Sequence, residues 1–365
     1  MAPRFLVTLL ASFVLLCSGC KDANSTGGTA GAALYAYDSS SASIFVWTDL
    51  SALYSGTATT VAPTKTITST VFSSKISSLG WGGLCFDAQN AYLYLVSDSG
   101  NIVRVANIRS QSGVANTTDV VSFSLSTTGR LSSSTFGQAC LDAQNNVLYI
   151  TENSSSGTQI WVVPSASSQV QDASIALQAL QMSGDSGGTG VAAASGSVYA
   201  FMLDGDTVGT VVTYSGPRLR KGTASGFTGS NTIIGSSTLI GEYGSLALDT
   251  GNGYLFSARH NTDAGATTAP IQVFATGLFG QAYNQTPTYT IGSPTGQPNL
   301  RVIAHAGTKD WLVGLAGNGT STTTSTPFGT IWIWESPLGG TAAITITASP
   351  ASSLFKGVAV DGNAS

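Results

Sequence analysis

Short apolar runs, punctuated by Gly, Asn, Ser and Asp, recur along the whole chain. Between Leu84 and Ser126 four of them follow one another: "LCFD", "YLYLVSD", "IVRVANI" and "VVSFSLS". β-Branched and aromatic residues dominate the runs, and the residues between them are those that tight turns use, so each run predicts a β-strand. No stretch of the chain beyond its N-terminus holds a 3.6-residue apolar period. "ASIALQALQM", around Leu177, comes nearest and is short.

The pattern also repeats at long range. "GLCFDAQNAYLYLVSDSGNIVRVANI" from Gly83 is echoed by "GQACLDAQNNVLYITENSSSGTQIWVVP" from Gly137, "GSLALDTGNGYLFSARH" from Gly244 and "GVAVDGN" from Gly357. Weaker copies are "GVAAASGSVYAFMLD" from Gly190 and "LRVIAHAGTKDWLVGL" from Leu300. One slot is occupied in turn by Asp87, Asp142, Ser195, Asp249, His305 and Asp361, at gaps of 55, 53, 54, 56 and 56 residues. So even a period marks a repeat architecture. Four antiparallel strands per repeat make the blade of a β-propeller, with the first strand nearest the axis. The N-terminal "ALYAYD" reads as a second strand and the C-terminal "GVAVDGN" as a first strand. The fold class expected is therefore all-β: a six-bladed propeller of four-stranded blades, closed by the C-terminal strand completing the N-terminal blade.

The "Gly-x-x-x-Asp" start and the following "LY" resemble the repeats of six-bladed propellers of the NHL and YWTD type, and more loosely the YVTN surface repeats. The resemblance specifies a shape shared by scaffolds, binding proteins and enzymes. At the N-terminus, Arg4, the apolar stretch Phe5 to Leu16 and "LCSGCKD" resemble a bacterial lipoprotein signal, with Cys20 lipidated; Cys17 stands where that pattern prefers Leu. An ordinary secretory signal is the alternative. The expected organisation is residues 1–19 as signal peptide, 20–30 as flexible tether and 31–365 as one propeller domain. The location expected is extracytoplasmic, in the cell envelope, with the membrane met through the lipid anchor only.

Charged residues are 9% of the chain, with 14 Lys and Arg against 18 acids and no basic cluster beyond Arg218, Arg220 and Lys221. Nucleic acid needs a concentrated positive face, so it is not an expected partner. Cys17 and Cys20 spell C-x-x-C but sit at the cleavage site. Cys85 and Cys140 lie two residues before the slot Asp of neighbouring repeats, as small apolar residues or as a disulfide pair. "GDSGG" around Ser186 has the look of a protease nucleophile, yet both histidines, His260 and His305, follow it, and Gly and Ser suit a linker there. The slot carboxylates Asp87, Asp142, Asp249 and Asp361 read as turn caps.

One constellation points to a site. Second strands end in Asp38, Asp98, Glu152 and Asp204, with Arg259 and His260 in the fifth blade. Aromatics stand where first strands begin: Trp81, Phe136, Tyr243 and Phe355. Both sets belong to one face of a propeller. They are the expected ligand mouth, in which aromatics stack and carboxylates take polar groups or a cation; turn capping and blade wedging are the alternative roles. Replacing Asp98 and Glu152 with Asn and Gln is then expected to weaken ligand or Ca²⁺ binding. No catalytic residue and no obligatory cofactor is assigned, Ca²⁺ or another divalent ion being the one candidate. The function expected is a non-catalytic envelope lipoprotein binding a protein, glycan or other ligand. Alternatives are a metal-dependent lactonase resembling the gluconolactonase-type propellers, for which Glu242 is the one acid matched, and a structural module of a surface assembly.

Overall fold

A computed structural model describes residues 31–363 except 156, 177, 182–189, 203–206, 209–211, 214–216, 236, 239, 241–243, 259–269, 293–298, 307–309, 318–329, 340–342 and 349–354. Six small antiparallel sheets stand in a ring. Their first strands, nearest the axis, are Phe355–Asp361 in blade 1, Leu79–Asp87 in blade 2, Thr135–Asp142 in blade 3, Gly190–Ala194 in blade 4, Leu246–Asp249 in blade 5 and Asn299–His305 in blade 6. The all-β, six-bladed reading holds, and so does the closure. Phe355–Asp361 pairs antiparallel with Ala33–Asp38, and the sheet continues through Ser43–Trp47 to Lys65–Thr68.

The apolar runs are continuous rather than alternating because both faces of every blade are covered. In the second strand of blade 2, Tyr92–Ser97, Leu93 and Leu95 pack towards blade 1, and Tyr94 and Val96 towards blade 3. The buried residues divide into six apolar clusters, one for each contact between neighbouring blades. A ring with six equivalent interfaces has no single core, so its cohesion depends on closing the circle.

Two features depart from the repeat expected. Three blades carry a fifth, parallel strand on their outer edge, lent by the following blade. Thr60–Val61 joins Ile344–Ala348, Gly113–Val114 joins Lys65–Thr68, and Ser174–Ile175 joins Val120–Leu125. These straps occupy edges that would otherwise offer unpaired backbone groups to another chain. Two short helices, Leu50–Ser55 and Thr70–Lys75, are also present, capped by the side chains of Asp49 and Ser69. Each buries one residue, Leu50 or Phe72, under the blade edge. Among the described residues of "ASIALQALQM" none is helical, and Ser174–Ile175 and Ala179–Gln181 are strands.

The blade interfaces hold several tyrosines away from water. Burial, aided by Cys140 and Asp142, raises the Tyr149 pKa to about 12. Burial raises Tyr35, Tyr37 and Tyr94 further still, and Tyr37 donates to the Ile76 carbonyl at 3.0 Å. A folded-state pKa above the unfolded value of about 10 gives stability that is complete below pH 10 and lost as pH rises beyond it. In a titration followed at 295 nm and by circular dichroism, these phenols are expected to ionise together with alkaline unfolding. Ionisation near pH 10 with the β-signal intact would contradict this placement.

A candidate ligand mouth

The first strands of four blades are interrupted where they begin, and each interruption presents a side chain at the mouth of the central channel. In blade 2, Leu79 pairs with Ser97 and Leu84 with Leu95, so Gly80 to Gly83 stand against Val96 alone. Trp81 is carried on that bulge. Glycine is required around it: a Cβ on Gly83 would lie 2.4 Å from the Val96 carbonyl oxygen, and Gly82 has φ +75°. In blade 3 the shift between Phe136 and Ala139 frees Gln138, in blade 6 the shift between Leu300 and Val302 frees Arg301, and in blade 1 the shift opposite Tyr37 frees Lys356. Bulges re-aim side chains out of the alternating register, and here they gather an aromatic ring, an amide and two cations.

Trp81 reaches the apolar cluster between blades 6 and 1, while the Arg301 guanidinium and the Lys356 ammonium lie 5.4 Å and 5.6 Å from its ring centroid. Lys356 also donates to Ser78 Oγ at 2.7 Å. Of the six tryptophans, the other five are buried and Trp81 alone is half exposed. Gln138 is 5% exposed and bridges three blades. Its Nε2 donates to the Leu246 carbonyl at 2.7 Å, and its Oε1 accepts from the Leu246 and Val191 N–H groups at 2.9 and 3.2 Å. The amide therefore spans the upper channel. The cavity of ≈ 190 Å³ is lined by Gln138 and, among others, Cys85, Cys140, Ala193, Ala247 and Ala359, and His305 stands at its far end. Both cysteines are free, and burial is the largest cause holding each thiol protonated.

The residues expected to form the mouth fare differently. Trp81 and Asp98 are half exposed at that face. Phe136 and Phe355 are wedges, not mouth residues. Phe136 is 3% exposed and meets Trp161 edge to face at 6.2 Å, and Phe355 meets Phe45 and Trp47 in the same way. Asp38 is buried and binds its own hairpin, accepting from the amides and hydroxyls of Ser40 and Ser41. Glu152 is fully buried. It accepts from the Leu131 N–H (3.0 Å), Ser134 Oγ, Gln159 Nε2 (2.5 Å) and Trp161 Nε1 (2.6 Å), pinning the incoming linker to blade 3. Tyr243, Asp204, Arg259, His260, Glu242 and Ser186 lie outside the described residues, as do Cys17 and Cys20. Sequence reasoning missed Gln138, Arg301 and Lys356. For Gln138 and Lys356 the signal was the glycine beside the bulge in "FGQ" and "FKG", as in "WGG" at Trp81; Arg301 has no such glycine.

On the opposite face the slot carboxylates cap turns. Asp87 accepts from the Gln89 and Asn90 N–H groups and Asn90 Nδ2, and Asp249 accepts likewise from Gly251 and Asn252. Two of them also reach the next blade. Asp142 accepts from the Ser195 and Gly196 N–H groups at 3.1 and 2.6 Å, and Asp361 takes a bidentate bond from Arg109 at 2.6 and 2.9 Å. Ser195 is not an equivalent of Asp, since its hairpin is two residues long, with Ser195 and Gly196 both at positive φ. At the same level in blade 6, burial lowers the His305 pKa against the opposing pull of Asp249 and Asp310.

No protein-family model matches the chain, and no curated protein matches it. Solved structures do. One chain of a nidogen/laminin complex is similar over 90% of this chain and 98% of that one, with a TM-score of 0.56 and 11% identity. A chain of the mitotic checkpoint complex covers 74% of this chain and 64% of that one (TM-score 0.41, 12% identity), and the WD40 β-propeller domain of Doa1 covers 76% and 71% (0.42, 9%). The first likeness is one of fold alone, and the other two are more distant.

Proposed function

We propose that this chain is a non-catalytic, lipid-anchored envelope protein whose propeller docks a macromolecular ligand on the channel mouth. The observation that carries the reading is the set of bulges that lift Trp81 beside Arg301 and Lys356 while Gln138 bridges the channel below. Tryptophan is enriched among the residues that anchor binding hot spots, and two adjacent cations suit a carboxylate-bearing segment. The bridging amide favours a protruding loop that rests on the mouth over a small molecule drawn into the channel. The similar chain of the nidogen/laminin complex, itself an assembly of proteins, agrees with a protein ligand without specifying one.

Because the other five tryptophans are buried, acrylamide quenching reports on Trp81. Titrating the chain with poly-L-glutamate, as a stand-in for an acidic loop, is expected to protect the quenchable fraction. A Lys356→Glu, Arg301→Glu variant should lose at least about tenfold in affinity, equivalent to roughly 1.4 kcal/mol. Equal protection in the variant, or none in the wild type, removes the mouth from consideration. The anchor is tested separately: a Cys20→Ser chain should leave the membrane fraction and lose incorporation of labelled fatty acid.

A further inference from the structure

Asp249 ends the first strand of blade 5 and His305 ends that of blade 6, so the two meet on the turn face, away from the mouth. Asp310, just before the strand Trp311–Gly317, joins them. One ligand atom from each of the three lies within 4.8 Å of the others. Asp249 is buried, His305 half buried and Asp310 exposed, so the group opens to water on one side.

The arrangement departs from its counterparts around the ring. Between blades 3 and 4 the slot carboxylate meets backbone N–H groups, and between blades 1 and 2 it meets a guanidinium. Between blades 5 and 6 it meets an imidazole and a second carboxylate. Neither Asp249 nor Asp310 forms an ion pair with Lys or Arg among the described residues. Two carboxylates held this close repel unless a cation sits between them. The histidine is also held in place: Phe256 lies flat against its ring, centroids 5.2 Å apart at 19°. Stacking on the ring face fixes the plane of the imidazole. Asp249 Oδ2 accepts a single turn bond, from Asn252 Nδ2 at 2.8 Å, and keeps a lone pair. His305 and Thr250 line the end of the channel cavity, where water could complete a coordination sphere.

We propose that Asp249, His305 and Asp310 bind a divalent transition-metal ion of the zinc class, which clamps blade 5 to blade 6. One imidazole nitrogen with two carboxylate oxygens is a donor set for zinc or a similar ion, whereas Ca²⁺ and Mg²⁺ take all-oxygen sites. The site stands at the other end of the channel from the mouth, so either can fail without the other.

The test is calorimetric titration of the whole chain, stripped with EDTA, with ZnCl₂ and with CaCl₂, alongside thermal unfolding in each. One saturable zinc site per chain is expected, at least about 100-fold tighter than calcium, with a zinc-dependent rise in Tm. Asp310→Asn, on an exposed side chain, should leave the zinc-free Tm unchanged and weaken zinc at least about tenfold. His305→Gln should abolish binding, and a Cys85→Ala, Cys140→Ala chain should bind as the wild type does. No saturable zinc site, binding that survives both ligand substitutions, or binding lost with the cysteines would each overturn the assignment.

Discussion

Deletion of residues 355–365 is expected to leave a chain with no cooperative unfolding transition. The strand Phe355–Asp361 is the innermost of blade 1 and is buried along nearly its whole length. Phe355, Val358 and Val360 fill the cluster between blades 6 and 1, and Ala359 the cluster between blades 1 and 2. Burying each large apolar side chain is worth ~1.5–3 kcal/mol, so three of them approach the ~5–15 kcal/mol that separates a folded domain from its unfolded state. The deletion also leaves Arg109 without Asp361 and Ala33–Asp38 without its partner. A permuted chain that places residues 355–363 directly before Gly31 should recover the transition. Asp361 and Ala33 pair as the ends of a hairpin, and Gly362, Asn363, Gly31 and Ala32 would form a four-residue loop like Ala88 to Ala91. The Asn363 N–H already donates to Asp361 at 2.9 Å, as the Gln89 N–H does to Asp87. Urea titration followed by circular dichroism distinguishes the two chains. A truncated chain that unfolds sharply at the wild-type midpoint would mean that the ring does not need closing.

Replacing Glu152 by Leu is expected to cost about 3–5 kcal/mol, read as a fall in the urea midpoint at unchanged slope. Leucine matches the volume but removes the acceptor of four donors, three of which have no other acceptor among the described bonds; Gln159 retains the Gly129 carbonyl at 3.1 Å. A buried donor left unsatisfied costs more than the bond itself was worth. Glu152→Gln keeps one oxygen and should fall between. Asp98→Asn, on a half-exposed side chain, should stay within about 0.5 kcal/mol. Equal losses at the two sites would remove the distinction between a structural acid and a surface one.

The blades were legible because a buried first hairpin repeats the same needs at each turn: small residues at Cys85, Cys140 and Ala247, an acceptor at the turn, and apolar residues on both faces. The helices were not. Six residues are under two turns, too few for a period to emerge, and only the caps at Asp49 and Ser69 announced them. The straps were hidden for a similar reason, since two-residue strands such as Gly113–Val114 carry no pattern of their own. At the mouth, residue type misled. An acid at the end of a second strand looks the same in sequence whether it is half exposed, as Asp98 is, or locked under a loop, as Glu152 is. Nor does a repeat alignment see a bulge, because the extra residue shifts register without changing composition. Arg301, with no glycine beside it, carries no mark of its bulge in the sequence.

The pairing of Ala33 with Asp361 fixes the end of the ring from which the N-terminal segment departs. It leaves beside the hairpin turns, on the side of Asp249 and His305, whereas Trp81 looks the opposite way. A chain tethered through its first residues would thus be joined to its support on the side of the turns, with the tryptophan on the far side of the disc.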